Sequence, residues 1–439
     1  MTNTKQLIGS IALAIASLLA ADQSHAAAKP EGRDAIRPFQ FKATDEQLAE
    51  LRRRIKATQW PEKETVNDLS QGVPLATMQE LARHWATDYD WRKVEARLAA
   101  LPQFITEIDG LDIHFIHVRS KHPNALPLIV AHGWPGSIIE QLKIIEPLTD
   151  PTAFGGRAED AFDVVIPSMP GYGFSGKPTS PGWNVERMAR AWDVLMKRLG
   201  YNQYVAQGGD WGAFIVDLMG VQAPPGLLGI HTNYPGTLPA DIDKAIVAGE
   251  PPPAGLSAEE LRAYNALNKT LKERVSYARL MAARPQTLYG IVDSPIGLAA
   301  WLLDHDDAAG QPAAAIVEAL NRKSSTTGEL TRDEVLDNIT LYWLTNTGVS
   351  ASRLYWEYKG GFWNAKGVTA VPVAVSVFPN EAYQAPRSWT EKAYPKLIYY
   401  NQLDKGGHYA AWEQPHLFAQ ELRAGFKSLR QANATASNR

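Results

Sequence analysis

Asp210 stands inside Gln207-Gly208-Gly209-Asp210-Trp211-Gly212, between the short apolar run Tyr204-Val205-Ala206 and a second one over residues 213–219. The pattern predicts a strand, a tight turn and a helix. Gly-x-nucleophile-x-Gly suits a nucleophile because the turn strains its central residue, and only small flanking residues let strand and helix approach. Here the centre is a carboxylate where a serine is usual. A carboxylate nucleophile makes an alkyl ester whose carbonyl belongs to the protein, which suits opening an epoxide or displacing a halide and not cleaving a peptide or ester. Alone, the pattern is equally an ordinary Gly-rich turn, so its meaning rests on partners elsewhere.

Hydrolysing such an ester needs a base and a carboxylate to orient it, in the chain order nucleophile, acid, histidine. The late histidines are His408 and His416. His408 lies in Lys405-Gly406-Gly407-His408-Tyr409, a Gly-rich loop from which the ring can swing over strand ends; His416, after Pro415, reads as a surface or N-terminal helix residue. Glu381 closes Phe378-Pro379-Asn380-Glu381 at the end of a predicted strand and is the expected acid, with Asp404, on the histidine's own loop, as the alternative. The ester's oxyanion calls for two backbone N–H groups: that of Trp211, next after the nucleophile, and that of Trp134 in the early loop His132-Gly133-Trp134-Pro135.

These loops need a scaffold. Strand patterns at residues 126–131, 162–166 and 204–206 alternate with helical ones, the last over 185–199. The reading is α/β: a mostly parallel sheet with helices on both faces and catalytic loops at the carboxyl ends of its strands. Upstream, Thr44-Asp45-Glu46-Gln47 is a capping box ahead of Leu48, Leu51 and Ile55, and Thr77-Met78-Gln79-Glu80 reads as a second, ahead of Leu81 and Trp85. Residues 104–108 and 111–118 form a hairpin around Asp109-Gly110. His114 and His117, three apart on a strand, face opposite ways and read as strand histidines, not metal ligands. An amphipathic run through Ile139, Leu142 and Ile145 follows the early loop. Strand signals stop after Pro235 and return at 371–378 and 396–400; the largely helical stretch between reads as a cap inserted over Asp210. A last amphipathic helix runs from Pro415 to about Leu429.

Of 439 residues, 45% are hydrophobic and 21% charged, the balance of a globular protein with a large core. A net charge of −3 without a basic block argues against nucleic acid as a partner. Absence of cysteine excludes disulfides and thiolate metal sites. Lys5, the apolar run 7–21 and Ser24-His25-Ala26 form a secretory signal pattern with cleavage after Ala26, which places the mature chain in a bacterial periplasm or medium. The apolar run is short for a membrane span; an uncleaved anchor is the alternative.

Taken together, the ordered motifs resemble an epoxide hydrolase of the microsomal type. The likeness runs from about Phe39 to Leu429 and takes in Asp90-Trp91-Arg92, the Trp134 loop, the Asp210 turn, residues 293–301, 341–345 and 378–381, and Gly406-Gly407-His408 with residues 410–413. It implies the α/β-hydrolase fold, laid out as a signal (1–26), an N-terminal epoxide hydrolase segment (27–125), a first core part (126–235), a helical cap (236–355), a second core part (356–431) and a tail (432–439). It implies two cap tyrosines that donate to the epoxide oxygen, by position Tyr277 and Tyr355; Tyr264 and Tyr289 share that cap. The implied partners are a small hydrophobic epoxide and water, with a vicinal diol as product. Trp134, Trp211, Phe174 and Trp343 or Trp412 are candidates for an apolar pocket. No metal or organic cofactor is expected, nor a stable membrane anchor once the signal is cleaved; a homo-oligomer is compatible with all of this. A haloalkane dehalogenase, which shares the Asp turn, and a non-catalytic binding protein on the same fold are the competing readings.

Overall fold

The computed structural model describes residues 32–68, 70–304, 319–320 and 329–430. The expected signal and the tail lie outside them. Nine strands form one sheet: β1 (Arg37–Pro38), β2 (Gln103–Ile108), β3 (Leu111–Val118), β4 (Leu126–Ala131), β5 (Phe162–Pro167), β6 (Tyr204–Gly208), β7 (Leu227–Thr232), β8 (Val373–Val377) and β9 (Leu397–Gln402). Their order is β1-β2-β3-β5-β4-β6-β7-β8-β9. From β5 to β9 every neighbour is parallel, and the β2–β3 hairpin adds an antiparallel edge through β3 and β5. Central strands such as β6 and β8 are buried throughout, as helix-covered strands of near-continuous apolar sequence must be.

The chain enters the parallel part at β4, steps to β5 on one side and then to β6 on the other. At such a switch point the loops leaving adjacent strands diverge and open a crevice above the carboxyl ends. Ala131 of β4 pairs with Gly208 of β6, so the Trp134 loop and the Asp210 turn start side by side.

Local signals account for most helix starts. Thr44 caps the helix Asp45–Lys56 in a complete capping box. The second box does not form: the helix Leu75–Thr87 starts three residues early, with Pro74 as its cap in place of Thr77 and no side-chain cap bond. Proline has a pre-set φ and no N–H to satisfy, so it begins the helix before Thr77 can. Leu81 and Trp85 are still buried. After the Trp134 loop the expected amphipathic helix is split into a 3₁₀ turn, Ile138–Ile144, and the short helix Ile145–Thr149. Its first part is buried on more than one side, carrying Glu140 and Gln141 inward beside Ile138, Ile139 and Ile144.

Between β7 and β8 the described residues form helices joined by loops, with no strand beyond one isolated bridge from Leu238 to Asn364. The helices Arg332–Thr345 and Gly348–Glu357 are tied down onto the loops at the strand ends: Asn338 Nδ2 donates to Pro135 O (2.8 Å), the Tyr342 hydroxyl to Gly136 O (2.8 Å) and the Ser350 hydroxyl to Gly171 O (2.6 Å). His114 and His117 are strand histidines held by uncharged partners, Ser168 and Gln103 for the first and Tyr201 for the second. Burial lowers both below the usual imidazole range, to about 3 and about 4. Among the described residues no helix is long and apolar enough to cross a membrane.

Candidate active site

Asp210 has φ 49° and ψ −126°, a conformation that costs a non-glycine residue free energy and persists only where the surroundings impose it. Its neighbours impose it by close approach. A Cβ on Gly208 would lie 2.0 Å from Gly212 O, and one on Gly212 would lie 2.0 Å from Ala131 O. Neither position admits a side chain, so strand and helix meet with the aspartate pushed up between them.

The loop after β4 closes over the carboxylate. The Trp134 N–H donates to Asp210 Oδ1 at 2.8 Å. Gly133 makes this approach possible, since a Cβ there would sit 2.3 Å from the same oxygen. Buried His132 pins the loop, its Nδ1–H donating to Gly133 O (3.0 Å) and its Nε2 accepting from Met169 N–H (3.1 Å). Burial keeps that ring neutral, with its pKa lowered to about 4. Trp211 is the first residue of the helix Trp211–Gln222, so its N–H has no carbonyl partner within that helix and lies at the positive end of its dipole.

Two further loops bring the base. Glu381 follows β8, and His408 follows β9. Asn380 N–H donates to Gly406 O (3.1 Å), and Asn380 pairs with Gly407 in an isolated bridge, so the loops run together as a short extension of the sheet. His408 Nδ1 lies 2.8 and 3.1 Å from the two Glu381 carboxylate oxygens, and its Nε2 lies 3.6 Å from Asp210 Oδ2. Glu381 is 2% exposed and His408 8%. A buried carboxylate on Nδ1 fixes the tautomer that leaves Nε2 as the base toward Asp210. Asp404 and His416 are exposed, and His416 stacks on Phe154 at 5.2 Å, away from this group.

Tyr277 and Tyr355 come from the helices Ser276–Ala283 and Gly348–Glu357. Tyr277 stacks on the Trp134 indole at 5.0 Å; Tyr355 meets Trp211 edge-on at 4.7 Å and Trp134 at 5.7 Å. Their ring centres are 6.2 Å apart. Both line a cavity of about 180 Å³ with Asp210 and His408. Tyr264 is turned away, donating to Glu250 O, and Tyr289 is 66% exposed. The seven residues named from sequence therefore meet at one place.

Known proteins carry the same arrangement of chain. Residues 36–141 match the family model "Epoxide hydrolase N terminus", and residues 127–251 match "alpha/beta hydrolase fold". A Stigmatella aurantiaca protein assigned to the epoxide hydrolases is 50% identical over 400 residues, covering 90% of this chain and 86% of that one. Epoxide hydrolase 1 of Sus scrofa is 35% identical over 89% of this chain and 88% of its own. The crystal structure of juvenile hormone epoxide hydrolase from Bombyx mori superposes with a TM-score of 0.78 at 29% identity, over 91% of this chain and 96% of that one. The chain belongs to the epoxide hydrolases of the microsomal type.

The hydrolase's cavity is walled by Val275, Ala278, Ala282, Phe362 and Trp363 as well as Trp211. Two expected pocket aromatics lie elsewhere. Phe174 packs on Phe39, Phe41 and His114, and Trp343 lies under Arg54. Trp412 borders a separate small chamber behind Asp210. The Tyr355 phenol is pushed well above its usual pKa, by burial first and then by Tyr277 and Asp210, so it is a proton donor at any ordinary pH.

Sequence reasoning missed Glu140. It is 8% exposed; burial pushes its carboxyl up to about 8, opposed by His408 and reinforced by Asp210. Gly136 makes room for it: a Cβ there would lie 1.6 Å from Glu140 Oε2. Nothing in the order Ile138-Ile139-Glu140-Gln141 separates it from the solvent face of an amphipathic helix. Tyr234, Phe362 and Trp363 were missed for the opposite reason, as ordinary-looking aromatics on segments with no chemical motif.

Proposed function

We propose that this epoxide hydrolase works through a covalent ester on Asp210. In the first step Asp210 Oδ2 attacks an epoxide carbon from the face opposite the C–O bond, and the phenols of Tyr277 and Tyr355 donate to the leaving oxygen. In the second, His408, with Glu381 holding its tautomer, deprotonates a water that attacks Cγ of the ester; the oxyanion on Oδ1 is met by the Trp134 and Trp211 N–H groups, and collapse releases a vicinal diol. One observation carries this reading. The Trp134 N–H at 2.8 Å takes Asp210 Oδ1, which leaves Oδ2 as the oxygen on the His408 side, in a carboxylate that borders the cavity shared with both tyrosines. A departing alkoxide needs acidic O–H donors, and paired phenols supply them, whereas a halide-releasing site is built from N–H donors. The apolar walls support a hydrophobic epoxide as substrate.

The test is diol formation from a panel of aryl and alkyl epoxides with a haloalkane control, for the wild type and Asp210→Ala. A single turnover in ¹⁸O-water should give unlabelled diol and a label on Asp210. Label in the first-formed diol would instead mean direct attack by water. Halide release without diol would favour a dehalogenase, and turnover of neither a binding protein.

We also propose that residues 1–26 are a cleaved export signal delivering the enzyme to the periplasm or medium. The mass of the mature N-terminus tests this, and an intact Met1 end would favour an anchor.

A further inference from the structure

Asp210 and His408 border two cavities. One is the 180 Å³ chamber with the tyrosines; the other, about 20 Å³, is walled by Glu140, Gln141, Gln207, Asn233, Trp412 and the backs of Gly133 and Gly209. The small chamber has room for one water, which needs on the order of 10–15 Å³ and two to four polar partners. Two of its walls are short of partners. Among the described residues no partner meets the buried Gln141 Oε1 or Gln207 Oε1, while the nitrogens of the same amides are engaged, Gln141 Nε2 on Glu140 Oε1 (2.7 Å) and Gln207 Nε2 on Asn233 Oδ1 (3.0 Å). The two residues are 4% and 1% exposed. Buried acceptors of this kind cost free energy unless a donor meets them. Each amide is fixed through its nitrogen.

We propose that this chamber holds the hydrolytic water, that Gln141 and Gln207 are its acceptors, and that Glu140 is a positioning residue that fixes the Gln141 amide. The inference rests on the ester mechanism above. The water gives one proton to His408 Nε2 and points the other at an amide oxygen, and its lone pair attacks Asp210 Cγ. The Cγ–O bond to the alkyl group then breaks, the departing diol oxygen takes the proton back from His408, and the water's second proton leaves the new Asp210 carboxyl to replace the one given to the oxygen freed in the first step, so Asp210 returns as a carboxylate holding Oδ1 and the water's oxygen. The Asp210–His408 pair is thus the wall between a substrate side and a water side. A hydrophobic epoxide can fill the first chamber without displacing the nucleophile of the second step.

The test uses the full-chain enzyme in single turnovers with styrene oxide, following the covalent ester by intact mass. Gln141→Met and Gln207→Met keep the side-chain length and remove the acceptor. Each should lengthen the ester's lifetime about tenfold, the value of one hydrogen bond to a reacting group, with kcat and KM falling together so that kcat/KM moves little. Glu140→Leu should do the same, and Glu140→Gln, which keeps an acceptor for the Gln141 amide, should recover most of the lost rate. Equal loss in ester formation and ester hydrolysis would mark a merely structural role and overturn the assignment, as would an unchanged lifetime. If a Met variant fails to fold, the Glu140→Leu and Glu140→Gln pair decides by the same lifetimes. A wild-type enzyme that never carries mass on Asp210, even with His408→Gln to trap it, would sink the ester mechanism itself; a trapped ester with unaltered lifetimes in the variants would sink only the water site.

Discussion

Removing the two phenolic hydroxyls should cripple the first half of the reaction and leave the second intact. Opening an unactivated epoxide puts nearly a full negative charge on oxygen, in a cavity walled by Phe362, Trp363 and Trp211 where water cannot easily substitute. A hydrogen bond to a charged oxygen contributes about 1.5–3 kcal/mol. At about 1.4 kcal/mol per tenfold in rate, Tyr355→Phe should slow ester formation roughly 10- to 150-fold. Tyr277→Phe should cost less, because Tyr355 is buried while Tyr277 is only partly so, and a water can stand in more readily for the more exposed hydroxyl. The double variant should lose on the order of 10²- to 10⁴-fold if the two donors act independently. Ester hydrolysis should stay within about twofold, since neither hydroxyl is in the Glu381–His408–Asp210 line. Burial holds the Tyr355 phenol above its usual pKa, and the protonated form is the donor, so the shift extends the working range upward. Ester formation should therefore persist past pH 10, where a free phenol is about half ionised. The assay is stopped-flow tryptophan fluorescence, with Trp134 and Trp211 flanking the reacting carboxylate, backed by intact mass. Single variants within twofold of wild type in ester formation would refute the role, as would a defect confined to ester hydrolysis.

Glu381→Gln should do the converse: the imidazolium formed in the second step loses its buried counter-charge, at about 1.5–3 kcal/mol, so ester should accumulate by mass while its formation rate holds. Gly212→Ala places a methyl 2.0 Å from Ala131 O, and the denaturation midpoint should show a loss of at least about 2 kcal/mol, as forced overpacking against backbone does; an unchanged midpoint would mean the turn is looser than described. Glu140 gives a pH signature in stability. Burial raises its carboxyl from 4.5 to about 8, with His408 and Asp210 the charges facing it, so the folded protein keeps a proton that the unfolded chain releases near 4.5. Wild-type stability should be full below about pH 4.5 and fall toward pH 8 by a few kcal/mol relative to Glu140→Gln. Asp217 and Asp337, both raised to about 7 by burial, contribute the same slope to both proteins and cancel. Parallel melting-temperature profiles between pH 5 and 8.5 would contradict a buried, protonated Glu140.

What could be read from the sequence divides by the range of the interaction that fixes it. Asp210 was legible because its geometry is set within five residues: the glycines at 208 and 212 are required by contacts of 2.0 Å, and only glycine meets that requirement. His408 and Glu381 were legible because the order of strands dictates which loops reach the carboxyl ends of β8 and β9, and each loop offered few side chains with the right chemistry. Local rules failed where a stronger local rule or a distant surface intervened. Pro74 pre-empted Thr77, two elements of one helix start competing within a single turn. Phe174 follows the strand-end turn as a pocket residue would, yet Phe39, Phe41 and His114 from the N-terminal strands and their lead-in draw it to the far side. Glu140 is the sharpest case. A glutamate in an amphipathic pattern is solvated by default, and only the close approach of β4 and β6, the missing side chain at Gly136 and the amide of Gln141 turn it inward. Its burial leaves a carboxyl that holds its proton at neutral pH beside a histidine and an aspartate. A fold retains so costly a group where removing it would cost more elsewhere, and here what it fixes is the polar back wall of the nucleophile. The half of the site built on Asp210, His408 and the cap tyrosines was thus visible as motif, and the half behind the nucleophile only as packing.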